Sequence, residues 1–368
     1  MAEEGQIMDK ILKIGIIGCG GIANGKHMPS LSKIPGVEMV AFCDLVIERA
    51  EKAAKEYGTP DAKVYTDYKE LLKDETIDIV HVLTPNREHA DITIDSLYAG
   101  KHVMCEKPMA KTAADAQRMV DAAKATGKKL TIGYQHRHKP QSRYTKDYIA
   151  TGAVGDIYYA NCLATRRRGT PNWGVFLDAE AQGGGPIIDI ATHSLDLTLY
   201  LMNNYEPSVV LGKTHKKLEH PEAGNIWGDK GVSTTELEEA ACAMIVMKNG
   251  ATIMLETSWA LNTAEPVSEG SCVLCGSRAG VQIKNDKLLI NKVELGRQVL
   301  TDVNLEAGGV AFFDGAVETP ALTEANSWIN AIRNDTDPVV LPEQALVVSQ
   351  ILEAIYVSSK TGKPVYFE

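Results

Sequence analysis

The chain of 368 residues lacks what a membrane protein, a nucleic-acid binder or a disulfide scaffold requires. No apolar run approaches the ~20 residues of a membrane-spanning helix. The segment Met1–Lys10 is polar and acidic, without the basic start and apolar stretch of an export signal. Basic residues are outnumbered, 38 Lys and Arg against 48 Asp and Glu, and only Arg166, Arg167 and Arg168 cluster. Phosphate neutralisation supplies most of the affinity for nucleic acids, so a net charge of −10 excludes that partner and also disfavours anionic membrane surfaces. Seven cysteines cannot all pair, and most lie in apolar, strand-like runs, as expected in a reducing cytoplasm. Cys272 and Cys275 form a C-x-x-C without a second pair or a nearby histidine, so no metal is expected.

What is present is ordinary globular material, 44% apolar and 23% charged, long enough for about two domains at roughly 150 residues each. Up to about residue 135, short apolar segments alternate with helical ones. The segments 13–17, 37–44, 77–84, 101–105 and 129–133 read as strands, and 47–57, 88–99 and 113–126 as helices. Continuous apolar strands separated by helices predict a parallel sheet covered on both faces. Beyond residue 135 the pattern changes to strands with short turns, at 156–165, 237–248, 252–260, 272–275 and 280–283. Asn249-Gly250 is a hairpin signal between two of them. Helices are expected at 188–201, 324–333 and 343–358, and residues 218–232 read as a loop excursion near a site.

The chemistry-bearing residues gather at strand ends. Gly18-Cys19-Gly20-Gly21-Ile22-Ala23 follows the first strand and fits G-x-G-x-x-A, with Gly18 for the tight turn and Gly20 and Gly21 for close approach of a pyrophosphate. The helix N-terminus beyond offers free N–H groups to it. Pro29 should interrupt a helix running from Ile22 to Ile34. Asp44 closes the second strand, where a carboxylate binds ribose hydroxyls and repels a 2′-phosphate, so NAD is expected over NADP; the competing role is a cap for helix 47–57. Thr84, Asn86 and His89 follow the next strand and are candidates for contact with the ribose or nicotinamide, or for a proline turn capped by Asn86. Glu106-Lys107-Pro108 ends the following strand, and the Lys107 ammonium there suits a substrate hydroxyl. The run Gly183-Gly184-Gly185 opens a helix with Asp189 and His193 four residues apart on one face. His193 suits removal of a hydroxyl proton, Asp189 can orient it or bind substrate, and the glycines can let substrate approach the backbone.

Together these segments resemble the Gfo/Idh/MocA oxidoreductases over nearly the whole chain. The match rests on the glycine turn, Cys43-Asp44, Thr84-Pro85-Asn86, Glu106-Lys107-Pro108 and the GGG-x-x-x-D-x-x-x-H run ending at His193. The resemblance implies an α/β Rossmann domain with a doubly wound parallel sheet (1–135). An α+β domain with a large, mainly antiparallel open sheet (136–368) follows, binding substrate and forming a homodimer or homotetramer. It implies a triad of Lys107, Asp189 and His193 beneath the nicotinamide, with Glu106 near the cofactor. Substrates would be inositols, sugars, sugar nucleotides or the 3-hydroxyl of glycosides. Arg166 and Trp173, just before the Asp/His helix, are candidates for binding hydroxyls and stacking on a sugar or aglycone. Arg137 fits a family arginine with a structural role. The expected activity is NAD-dependent oxidation of a secondary hydroxyl. The alternatives are a glycosidase of the same family that oxidises its sugar transiently, and a non-catalytic protein that senses NAD.

Overall fold

The computed structural model describes residues 10–305 and 319–368. Six parallel strands form the first sheet: β1 (Leu12–Ile17), β2 (Val37–Cys43), β3 (Gly58–Tyr65), β4 (Ile79–Val82), β5 (His102–Cys105) and β6 (Leu130–Ile132). Their order is β3-β2-β1-β4-β5-β6. This is the doubly wound order in which the chain reverses direction of growth between β1 and β4, opening a crevice at their carboxyl ends. Every residue of β4 is buried, as a strand covered on both faces requires. β3 was not expected. It carries Pro60, Asp61 and Lys63 and lies at the sheet edge, where proline and charge are tolerated because one side of the strand is unpaired.

The helix after the glycine turn is not broken at Pro29 but re-registered. Residues Ala23–His27 form a π turn, in which the Met28 N–H reaches the Ala23 carbonyl, and Pro29 then sits in the first turn of helix Met28–Leu31. Proline needs no N–H donor at that position.

The second sheet has nine strands. They are β7 (Ile157–Thr165), β8 (Pro207–His215), β9 (Ala240–Met247), β10 (Thr252–Ser258), β11 (Val267–Gly276), β12 (Ala279–Lys284), β13 (Lys287–Glu294), β14 (Arg297–Asp302) and β15 (Val365–Tyr366), in the order β14-β13-β12-β11-β7-β10-β9-β8-β15. Only the pair β7 and β10 is parallel. One face, bearing Ala160, Cys162, Ile245, Ile253, Leu255 and Leu274, is buried in the main core with residues of helices Thr192–Met202 and Pro342–Thr361. The other leaves Tyr158, Leu211 and Met244 exposed. Asn249-Gly250 makes the expected hairpin, with Gly250 at φ +86°.

The chain then returns to its beginning. Helix Pro320–Arg333 buries Trp328 and Ile329 in one cluster with Leu12, Ile14, Phe42 and Ile79 of the first sheet. A division near residue 135 therefore describes the order of the chain, while the core of the first sheet is completed from its far end.

Candidate active site

Gly18 has φ +93°, and a Cβ on it would fall 2.6 Å from the Leu83 carbonyl oxygen, so the turn tolerates no side chain there. At Gly20 and Gly21 a Cβ would meet nothing within 4 Å. That open space beside a tight turn fits a pyrophosphate. The Cys19 N–H donates to Asp44 Oδ2 at 2.9 Å and the Val46 N–H to Asp44 Oδ1 at 2.9 Å, fixing the carboxylate between the turn and the end of β2. Two backbone donors leave further lone pairs on Asp44 for ribose hydroxyls. Ile22 and Leu45 are exposed on either side of this space. The residues present therefore fit a dinucleotide.

The end of β5 builds the floor of the crevice. Lys107 Nζ donates to the Asp189 carbonyl at 2.8 Å and to Asp189 Oδ1 at 3.1 Å, joining the two sheets' domains. Asp189 Oδ2 accepts from Trp259 Nε1 at 2.9 Å and lies 3.8 Å from Arg166. Asp189 occupies a π turn, Ile187–Ala191, ahead of helix Thr192–Met202. The wide turn shifts the spacing, and no hydrogen bond joins Asp189 to His193. The expectation that Asp189 orients the imidazole is therefore corrected: Asp189 holds Lys107. The His193 ring packs edge-to-face on His136, with centroids 4.8 Å apart. Its Nδ1 is buried without a partner, which leaves Nε2 as the nitrogen available to a ligand. Burial, then the charge of Lys107, push its pKa well below the usual imidazole range, so the ring is neutral and able to accept a proton at pH 7.

Several expected residues do other work. Glu106 is buried, and one carboxylate oxygen takes Lys26 Nζ and His27 Nε2, each at 2.8 Å, while the other takes the Lys107 N–H at 3.0 Å. Lys26 also pairs with Glu324 at 2.8 Å. Glu106 thus balances a buried cation beneath the crevice. Asn86 neither caps a helix nor stands free, because its Nδ2 donates to the Gln182 carbonyl at 2.9 Å across the crevice. His89 is fully buried with Nδ1 2.8 Å from the Pro108 carbonyl oxygen and Nε2 2.9 Å from that of Thr84. It ties the two strand-end turns together and has no polar atom left for the cofactor. The Thr84 hydroxyl is buried without a partner. Arg137 is structural as expected, with its guanidinium on both oxygens of the fully buried Asp196.

The triple glycine also departs from expectation. Gly183, at φ +86°, ends the short helix Ala179–Gln182. A Cβ on Gly185 would lie 2.6 Å from the Glu238 carbonyl oxygen, and one on Gly184 would strike the Tyr356 hydroxyl. Glu238, buried and accepting the N–H groups of Gly185 and Ile187, anchors this turn and binds the Tyr356 hydroxyl at 2.7 Å. These glycines admit the protein's own side chains rather than substrate.

At the rim, Trp173 packs edge-to-face on Trp227 with centroids 4.8 Å apart, and the Arg166 guanidinium lies 5.3 Å from the Trp227 ring. The excursion 218–232 thus reaches the site as expected. Trp227, Trp259, His136, Lys26 and Glu324 were not foreseen, since none belongs to a motif and they converge only in the folded chain.

A dinucleotide turn, an acidic ribose position and a Lys–Asp–His constellation in one crevice define an NAD-dependent oxidoreductase. Residues 12–134 match the sequence model of the oxidoreductase family's NAD-binding Rossmann fold, and residues 146–367 that of its C-terminal α/β domain. The chain belongs to the Gfo/Idh/MocA family. It is 32% identical over 351 residues to D-glucoside 3-dehydrogenase of Escherichia coli, spanning 95% of this chain and 96% of that one. It is 39% identical over 145 residues to inositol 2-dehydrogenase of Salmonella typhimurium, spanning 39% and 43%. The fold is that of levoglucosan dehydrogenase solved with NADH, at a TM-score of 0.81 and 22% identity, over 97% of this chain and 99% of that chain. The family acts on sugars and polyols. Among the described residues no helix is long and apolar enough to cross a membrane.

Proposed function

We propose that the protein oxidises a secondary hydroxyl of a sugar, glycoside or polyol to a ketone, with the 3-hydroxyl of a glucoside as the leading candidate. The observation that carries this reading is the placement of Lys107 on Asp189 beside a neutral His193 whose Nε2 is unengaged. Similarity to a glucoside 3-dehydrogenase along nearly the whole length supports the choice of substrate.

In this scheme the substrate hydroxyl lies between Lys107 Nζ and His193 Nε2. His193 accepts its proton, and the Lys107 ammonium stabilises the oxyanion as it develops. Asp189 steers Lys107 and offers its carboxylate to a neighbouring hydroxyl. Trp259 and Arg166 keep that carboxylate from swinging away. NAD, when bound, supplies the acceptor for the hydride leaving the carbinol carbon. Gly18, Gly20, Gly21, Ile22 and Asp44 hold it, with Thr84 nearby, while Asn86, His89 and Glu106 shape the crevice from behind.

The test is a panel of glucosides, free sugars and inositols incubated with NAD, followed by NADH absorbance and identification of the oxidised carbon by NMR. Formation of a 3-keto glucoside supports the reading, and failure of all three classes to reduce NAD contradicts it.

We propose further that the chain assembles as a symmetric dimer or tetramer through the exposed face of the second sheet, where Leu211 and Met244 stand opposite the buried Ile253 and Leu255. Light scattering at micromolar concentration tests this, and a strict monomer would contradict it.

A further inference from the structure

We infer that the rim of the crevice holds a second-ring subsite, an aromatic platform for the uncharged substituent of a glycoside, so that the substrate is a glycoside rather than a free monosaccharide. This rests on the proposed oxidation of a sugar hydroxyl at Lys107 and His193. Trp173 is 48% exposed and Trp227 40% exposed, with Ile226 beside them at 69%. Phe176 packs edge-to-face on Trp173 at 5.5 Å, extending the group. Large apolar side chains held together at a surface mark a binding site more often than chance.

Two features tie the platform to the reacting centre. Arg166 bridges them, lying 3.8 Å from Asp189 Oδ2 on one side and stacked on Trp227 on the other. The platform is also pre-organised. Asn172 donates to the carbonyls of Trp227 and Gly228 at 2.9 and 3.1 Å. Asn225 accepts the Thr170 N–H and donates to the Thr170 carbonyl, so the segments carrying Trp173 and Trp227 are laced together. Rings already held in place lose little freedom when a ligand stacks on them.

The charge at the bridge indicates what binds. Arg166 is shared between Asp189 and Glu269, the latter 3.4 Å away, so its charge is already balanced by two carboxylates. A neutral substituent therefore suits the platform better than a phosphate or a nucleotide. Indole faces stack on the apolar face of a pyranose or on an aryl ring. Both are uncharged flat substituents, and they are separated by experiment.

The experiment measures binding of glucose, 4-nitrophenyl glucoside and a glucosyl disaccharide to the NAD-loaded protein by calorimetry, with turnover followed in parallel. At least one glycoside is expected to bind more tightly than glucose, and which one does so distinguishes an aryl from a sugar substituent. Trp227→Ala and Trp173→Ala should each weaken glycoside binding about three- to tenfold, the size of one aromatic contact, while affinity for glucose moves less than twofold. Trp227→Phe should recover most of the loss. Equal affinity for glucose and both glycosides overturns the subsite, as does an equal loss for all three ligands in the variants. So does a change of oligomeric state in Trp227→Ala without a change in the glycoside preference, which would make the platform a contact between copies. Turnover without glycoside preference would leave the oxidation standing and the subsite refuted. Glycoside binding that needs Trp227, without turnover, would do the reverse.

Discussion

The turn Gly18–Gly21 and the run Gly183–Gly185 look alike as sequence, and both open a helix beside the crevice. In the folded chain they differ in what fills the space that glycine leaves. At Gly20 a side chain would meet nothing within 4 Å, whereas at Gly185 it would fall 2.6 Å from a carbonyl oxygen of the protein itself. The first is a cradle for a ligand, and the second is a close-packed joint that lets Glu238 and Tyr356 grip the turn carrying Asp189. A glycine-rich motif states only that space is needed, and the surrounding fold decides who occupies it.

Substitution separates the two. Gly185→Ala forces a methyl group against a fixed backbone and should lower unfolding free energy by about 3 kcal/mol, or prevent folding, as overpacked interiors do. Thermal and urea unfolding measure this, and a loss below about 0.5 kcal/mol would mean that the joint gives way. Gly20→Ala should leave unfolding unchanged but raise the dissociation constant for NAD about tenfold or more, read by fluorescence titration. If its stability falls and its NAD affinity holds, the comparison is inverted. Asp44→Ala should have a narrower effect, shrinking the preference for NAD over NADP in kcat/KM by about tenfold. A protein that prefers NADP before mutation would contradict the ribose role of Asp44.

A smaller, distributed effect is expected with pH. His81, His89, His102, His136, His138 and His193 all have pKa values lowered mainly by burial, His102 to about 4 and His136 to about 3. The unfolded chain binds protons at these sites from about pH 6.5 downward and the folded chain does not, so stability must fall as pH drops from about 6.5 toward 4. Unfolding curves between pH 7 and 4 check the sign. Glu106, held well below the usual carboxylate range by Lys26 and His27 against its burial, adds a loss only below about pH 4.5.

Legibility followed locality. The parallel sheet, the dinucleotide turn, Asp44 and the Lys107–Asp189–His193 set were readable because each is written in a short contiguous pattern of known geometry. The edge strand β3 was hidden by its polar residues. Strands β13 and β14 were hidden by turns at Asn285-Asp286 and Leu295-Gly296, where three non-glycine residues adopt positive φ. The partners of Asp189 were illegible for another reason. Trp259 and Arg166 come from distant segments, and the π turn at 187–191 cancels the four-residue spacing that suggested an Asp189–His193 bond. Asn86, His89 and Glu106 were rightly located at the crevice edge, but their side chains bond to backbone or to a buried lysine that no local pattern announces.

The central claim is that His193 removes the substrate proton while the glycine turn holds the cofactor independently. It is tested most directly by measuring kcat and NAD affinity of His193→Ala on one preparation with a verified substrate. The account predicts that kcat falls 10²- to 10⁴-fold, the usual cost of removing a general base, with the NAD dissociation constant within about twofold of the unmutated protein. Near-normal turnover in His193→Ala would contradict it and shift the search for the base to Lys107.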